Sequence, residues 1–69
     1  MEITLNGHAK QLPPAATLKD VIGQFCKDER SSRRVVSEVN GAIVKSDRWN
    51  ATPVKDGDTI ELVTLVGGG

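Results

Sequence analysis

The chain has 69 residues, nine of them basic and nine acidic, so its formal net charge at pH 7 is zero. That length suits one domain, and the balanced charge argues against a basic field that recruits nucleic acid or membranes. A single cysteine, Cys26, and a single histidine, His8, exclude an internal disulfide and a structural zinc with four protein ligands. No apolar run approaches the roughly 18 residues of a membrane span, and no signal peptide is recognisable. We therefore expect a cytoplasmic protein.

The first part of the chain predicts a β-hairpin. Residues 2–5 alternate between polar and apolar side chains, as is typical of a half-buried strand. Asn6 and Gly7 follow as a two-residue turn, because both residue types tolerate positive φ. We expect a second strand over about residues 8–12, ended by the two prolines that follow it, since proline cannot donate a ladder hydrogen bond.

One amphipathic helix is predicted over about residues 18–28. Thr17 is a favourable N-cap, and Asp20 stands where a capping-box acid belongs. Apolar side chains with helical spacing form a stripe that would pack on a sheet, namely those of Leu18, Val21, Ile22, Phe25 and Cys26. We expect Cys26 to be a small buried hydrophobe rather than a reactive thiol. Residues 28–34 are interpreted as a solvated, charged connection.

The second half of the chain predicts three further strands. Strands over Val35–Val39 and Ala42–Val44 flank a second Asn-Gly turn. A loop over residues 45–51, with room for one helical turn, carries Trp49 as a lid on the edge of the core, with a partner hot spot as the alternative. The final strand is expected over about residues 58–66. This order of elements predicts a two-layer α+β domain, with one main helix across a mixed sheet of four to five strands. We expect the first and last strands to be neighbours at the centre of that sheet.

Signatures of catalysis are missing from the sequence. We find no phosphate-binding loop, nucleophile elbow, paired-histidine motif or Cys-x-x-Cys pair. So short a chain also has little room for a substrate pocket. His8 lies beside the hairpin turn, where we expect it to be exposed to solvent. The sequence therefore predicts a protein that is not an enzyme and holds no cofactor.

The last strand indicates a contact surface. If Ile60 and Leu62 face the helix, Val63 and Leu65 place apolar side chains on the opposite face of the sheet, with Val36 beside them. Exposed apolar patches on small domains mark contact sites. Burial under a second layer, or simple edge packing, is the alternative.

Three glycines follow that strand. Gly67, Gly68 and Gly69 lack side chains and have the freest backbone of any residue, so a terminal carboxylate here could be drawn into a narrow site. We therefore predict one domain over residues 1–66 and a flexible tail over residues 67–69. A frayed chain end without function is the alternative.

The combined pattern resembles the ThiS-type sulfur carriers of thiamine biosynthesis, which are ubiquitin-like β-grasp proteins. The resemblance extends over essentially the whole chain. It rests on the Asn-Gly hairpin, the capped helix, Val39-Asn40-Gly41, Val44 followed by Trp49, Asp56-Gly57-Asp58 with Ile60, and the ending Val66-Gly67-Gly68-Gly69. The sequence departs from the family pattern in its third terminal glycine and in Ser37, which stands where a strand would carry an aliphatic residue.

The resemblance implies a cycle carried out by other proteins. A ThiF-like adenylating enzyme would use ATP in trans to adenylate the terminal carboxylate, and sulfur from a cysteine-derived donor would convert it to a thiocarboxylate. A thiazole synthase of the ThiG type would then receive the sulfur. Gly69 would bear the modification, with Gly67 and Gly68 as the threading residues. The partner interface would consist of Val36, Val63, Leu65 and Val66, on a protein that is itself a monomer.

Two questions stay open at this point. The sulfur could serve molybdopterin or another product, and the domain could instead be a non-covalent ubiquitin-like module or a protein modifier. The third glycine also leaves open whether Gly69 or Gly68 is the modified terminus.

Overall fold

The computed structural model describes residues 1–26 and 28–65. Over these residues the chain forms five strands, two α-helical segments and one 3₁₀ helix. In chain order they are β1 (Glu2–Leu5), β2 (His8–Gln11), α1 (Leu18–Phe25), α2 (Glu29–Ser32), β3 (Val35–Val39), β4 (Ala42–Val44), the 3₁₀ helix (Ser46–Ala51) and β5 (Thr59–Thr64). None of the described helices is long and apolar enough to cross a membrane.

The sheet has the strand order β2-β1-β5-β3-β4, so the last strand in the chain is its middle strand. β1 and β5 run parallel, with Thr4 opposite Thr59 and Leu5 opposite Ile60. The other neighbouring strands are antiparallel. The prediction that the first and last strands are central neighbours of a mixed sheet is confirmed, although β2 and β5 are shorter than the sequence suggested.

Both Asn-Gly pairs form tight hairpin turns. Asn6 and Gly7 have φ values of 49° and 84°, and Asn40 and Gly41 have values of 52° and 87°. Positive φ at both central residues gives the turn the twist of the flanking strands. The turns join β1 to β2 and β3 to β4, as predicted.

The capping box of α1 forms as predicted. The backbone N–H of Asp20 donates to Thr17 Oγ1 at 3.4 Å, and the backbone N–H of Thr17 donates to Asp20 Oδ2 at 2.8 Å. These bonds satisfy backbone groups that have no partner within the helix. The helix is shorter than predicted, since it ends at Phe25 and the N–H of Cys26 closes the last turn on the Ile22 carbonyl at 2.8 Å.

Around this helix one prediction is wrong and a second one is incomplete. Phe25 is not part of the buried stripe, because it is 40% exposed and lies at the end of the helix beside Leu5 and Asn6, beyond the edge of the core. The charged connection contains α2, which begins after Asp28. The Asp28 carboxylate accepts the Ser31 backbone N–H at 2.7 Å, a capping bond that stabilises this single turn. That bond, together with the Ser31 side chain, holds the pKa of the Asp28 carboxyl below its ordinary value.

The core lies between α1 and one face of the sheet, and it is mostly aliphatic. Its buried side chains are those of Ile3, Leu5, Leu12, Ala16, Leu18, Val21, Ile22, Cys26, Val35, Trp49, Val54, Ile60 and Leu62. Cys26 is 8% exposed, which confirms its predicted burial.

Ser37 is fully buried on the helix side of β3, where an aliphatic residue was expected. Its hydroxyl donates to the Val44 carbonyl at 2.7 Å and accepts the Trp49 indole N–H at 2.9 Å. The same indole N–H also reaches the Val44 carbonyl at 3.1 Å. Ser37 therefore gives the buried indole a polar partner and ties the 3₁₀ helix to β3 and β4, so the departure from the family pattern has a structural reason.

Replacing Ser37 with Ala should lower the free energy of unfolding by about 1–2 kcal/mol, because the indole N–H and the Val44 carbonyl each lose a buried partner. Urea unfolding followed by the fluorescence of Trp49 measures this change. The matched control is Ser46→Ala, at an exposed serine, which should shift the value by no more than about 0.5 kcal/mol. Equal stabilities of the two variants would contradict the assigned role of Ser37.

Candidate functional site

The final strand is fixed in position as far as its last described residue. Beyond the end of β5, the backbone N–H of Leu65 still donates to the Arg34 carbonyl at 2.7 Å. The pairing with β3 therefore continues to Leu65. Whatever follows this residue in the chain leaves from a defined point at one end of the middle strand. Val66, Gly67, Gly68 and Gly69, the predicted tail with its root, lie outside the described residues.

Asn6 holds β5 from the side of β1. Its backbone N–H donates to the Ile60 carbonyl at 2.9 Å. Its side-chain oxygen accepts the Leu62 N–H at 2.8 Å, and its side-chain nitrogen donates to the Leu62 carbonyl at 3.3 Å. The side-chain amide thus bonds to both the backbone N–H and the backbone carbonyl of Leu62, as the backbone of a neighbouring strand would. It extends the edge of β1 by one residue.

Asn40 holds the opposite edge of the same strand. Its backbone N–H donates to the Thr59 carbonyl at 2.7 Å, and its side-chain oxygen accepts the Thr59 N–H at 2.9 Å. Its side-chain nitrogen donates to Asp58 Oδ1 at 2.9 Å, while Asp58 Oδ2 accepts the Lys55 N–H at 2.8 Å. The two asparagines therefore position β5 from both sides, a role that their turn signal alone does not reveal.

The two faces of β5 differ as predicted. Ile60 and Leu62 are buried against the helix, with exposures of 0% and 4%. Val63 and Leu65 are 54% and 55% exposed, so no second layer of the described residues covers them. Val36 on β3 is half-buried and lies directly opposite Val63. The structure thus brings together the three described members of the predicted interface.

A further apolar residue, which the sequence analysis missed, lies on the same side of the sheet. Ile43 on β4 is 67% exposed and pairs with Glu38 of β3. Glu38 is two residues from Val36 and therefore lies on the same face of the sheet. We call the surface formed by Val36, Glu38, Ile43, Glu61, Val63 and Leu65 the open face. A strand of three residues shows too little alternation for the sequence alone to indicate where Ile43 points.

The remaining candidates show no sign of a reaction centre. His8 is exposed at the start of β2, as predicted. Burial, and secondarily the nearby Asp28 carboxylate, raise the pKa of the Cys26 thiol. Within residues 1–26 and 28–65 no three His, Cys, Asp or Glu side chains come together in a way that could hold a metal ion.

The chain forms a mixed sheet of five strands with one main helix packed across it, and the first and last strands are parallel neighbours at the centre. This architecture defines a ubiquitin-like β-grasp domain. The sequence matches the ThiS family model over residues 3–69, and the chain belongs to the ThiS family.

Known relatives and solved structures agree with this assignment. A thiazole synthase from Paramagnetospirillum magneticum is 32% identical over 69 residues, which is 100% of this chain but 20% of that protein, so the chain spans about a fifth of the length of this curated relative. The crystal structure of the thiamine biosynthesis protein ThiS from Geobacter metallireducens is similar over 100% of both chains, with 28% identity and a TM-score of 0.80. The NMR structure of a thiamine biosynthesis protein from the same organism has 28% identity and a TM-score of 0.74, and the match covers 100% of this chain and 88% of that one.

The raised pKa of Cys26 predicts slow alkylation in the native state. Its thiol should react with iodoacetamide at pH 8 at least about tenfold more slowly in the folded protein than in the urea-unfolded chain, because burial removes both thiolate and access. Because the pKa of Cys26 is higher in the folded state than in the unfolded chain, the protonated thiol contributes to the free energy of unfolding at neutral pH. This contribution decreases as the pH rises from the ordinary thiol pKa through the raised pKa of the folded state. Equal rates in the two states, measured by mass spectrometry, would contradict this assignment.

Proposed function

We propose that this protein is a sulfur carrier of thiamine biosynthesis that transports sulfur as a thiocarboxylate at its C-terminal glycine. Membership of the ThiS family over residues 3–69 carries this proposal. The geometry supports it, because the middle strand of the sheet is held in register up to Leu65, and the glycines begin two residues later in the sequence. A folded domain followed by a short reactive C-terminal segment suits a substrate that binds to one enzyme after another.

The chemistry divides between this chain and its partners. A carboxylate is a poor electrophile, so its conversion to an acyl adenylate supplies the leaving group that sulfur then displaces. The sequence contains no phosphate-binding loop, and we infer that a ThiF-like enzyme provides the ATP site in trans. The protein would thus be a covalent substrate rather than an enzyme. An ATP-dependent cycle and a single unpaired thiol fit a cytoplasmic location.

The glycines set the reach of the carrier. Three extended residues span about 10 Å, which lets a terminal carboxylate enter a narrow site while the domain stays outside. Gly69 would bear the adenylate and then the sulfur. Gly67 and Gly68 would thread without side chains that obstruct the channel. Val66 would join the tail to the open face.

The recipient we propose is a thiazole synthase. The support comes from the Paramagnetospirillum magneticum relative, a protein named thiazole synthase that contains a region 32% identical to this entire chain. A carrier-like region within such a polypeptide fits a direct transfer from carrier to synthase. The sulfur itself would come from a cysteine-derived donor, and the carrier would act as a monomer.

Incubation with a ThiF-like enzyme, ATP and a cysteine-derived sulfur donor should raise the mass of the C-terminal peptide by the difference between one sulfur and one oxygen. Tandem mass spectrometry then locates the change on Gly69 or on Gly68. An unmodified terminus under these conditions, with an active enzyme preparation, would exclude the proposal. Transfer to molybdopterin synthesis instead of thiazole formation would exclude the assigned recipient alone.

The matched control is a chain without Gly68 and Gly69. It should fold like the wild type and lose all modification, since the described core and sheet are formed without these two residues. A protein that keeps its partners and its function without these glycines would be a non-covalent interaction module. One that forms isopeptide bonds with other proteins would be a modifier.

The exposed apolar side chains next to the tail should be needed for docking. Val63→Asp or Leu65→Asp places a carboxylate on the open face, and either change should raise the KM of the adenylating enzyme for the carrier by about tenfold or more. The melting temperature should stay close to that of the wild type, because both side chains are more than half exposed. Ala9→Asp, at an exposed residue of the edge strand β2, is the control and should leave KM unchanged. Wild-type kinetics for folded Val63 and Leu65 variants would show that docking occurs elsewhere.

A further inference from the structure

The open face contains two acidic side chains in an unfavourable arrangement. Glu38 on β3 lies directly opposite Glu61 on β5. Side chains in such positions have Cβ atoms about 4.5–5.5 Å apart, and like charges there destabilise the sheet. Among the residues that the structure describes, neither carboxylate has an ion pair or a side-chain hydrogen bond. The pair therefore costs folding stability and receives no compensation from the described part of the domain.

Apolar side chains flank this pair on two sides. Ile43 lies opposite Glu38 on β4, and the Val36–Val63 pair is the next outward-facing pair along β3 and β5. Any protein surface that covers Val63 and Ile43 would also cover the carboxylates between them. Their water would be removed, and an unpaired carboxylate out of water is strongly unfavourable.

We propose that the open face docks an apolar surface of the adenylating enzyme that places an arginine or lysine side chain between Glu38 and Glu61. This inference rests on the proposed function, and it names the chemistry by which the partner is recognised. A guanidinium suits the position best, because its planar set of donors can bond to both carboxylates at once. Docking would relieve the repulsion that the free carrier contains.

The location of the pair favours this occupant. Glu61 lies on the same strand and the same face as Val63 and Leu65, so the acidic pair is continuous with the surface at the root of the tail. The partner that takes up the tail would touch this surface first. An apolar partner without a cation would have to bury two charges without compensation, so the pair would also exclude wrong partners.

The test compares the double variant E38Q/E61Q with the wild type and with E2Q. Glu2 is an exposed acid at the start of β1 whose carboxylate bonds to the Gln11 amide, an interaction that glutamine can still make through its side-chain oxygen. ATP–pyrophosphate exchange by the adenylating enzyme, measured against carrier concentration, gives KM and kcat. Thermal unfolding reports on the fold.

The double variant should melt at the same temperature as the wild type or higher, since the repulsion is gone. Its KM should rise about tenfold with kcat unchanged at saturation, because the partner cation loses its counter-charges. Added salt should raise KM for the wild type and much less for the double variant. The control E2Q should keep the KM of the wild type.

Three outcomes would overturn the inference. An unchanged KM for E38Q/E61Q would show that no cation meets the pair, although adenylation of the variant would leave the proposed function intact. A lower melting temperature would contradict the premise that the pair costs stability. Absence of any adenylation of the wild type by an enzyme that is active on its own carrier would remove the proposed function, and the inference with it.

Discussion

The parallel pairing of β1 with β5 is the interaction on which this structure depends. It joins segments from opposite parts of the sequence, and the Asn6–Leu62 contact beside it spans 56 residues. The pairing places Ile60 and Leu62 under α1, where both side chains are almost completely buried. It also makes the last strand the middle of the sheet. The last described residues, which precede the glycines in the sequence, therefore belong to the centre of the fold rather than to an edge.

Two residues that form turns also maintain this pairing. Asn6 and Asn40 adopt positive φ in their hairpins, and their side-chain amides bond to backbone groups of β5 on opposite edges. Glycine would satisfy the turn geometry but would leave those backbone groups without their partners. The choice of asparagine before each glycine thus links the shape of two local turns to the position of a distant strand.

Local signals explain which features the sequence predicts correctly. Alternation along β5 indicates that Val63 and Leu65 face away from the helix, and Thr17 with Asp20 indicates the start of α1. These patterns depend on residues a few positions apart. The prediction for Phe25 is wrong because helical spacing gives the direction of a side chain but not the point where the core ends. The turn of α2 is not predicted, because a charged segment between a helix and a strand is typical of a plain connection, although Asp28 is available to cap a helix there.

Features that depend on strand register cannot be predicted from local sequence patterns. The side-chain hydrogen bonds of Asn6 and Asn40 require backbone partners on β5 that are 56 and 19 residues away in the sequence. The opposite positions of Glu38 and Glu61 appear only when β3 and β5 are aligned, since a shift of one residue would place them on opposite faces. Ser37 stands where the strand pattern predicts an aliphatic residue, and only the position of Trp49 shows that its hydroxyl accepts the indole N–H.

Because β5 follows every other described element in the chain, the order of synthesis has a consequence for quality control. Until β5 is present, β1 and β3 have no neighbour between them, and both expose strand edges that are prone to aggregate. A chain that stops before this strand lacks the middle of its sheet and much of its core. The open face consequently exists only on molecules that have been made as far as β5 and have folded. Binding to this face would therefore select folded chains over nascent or truncated ones.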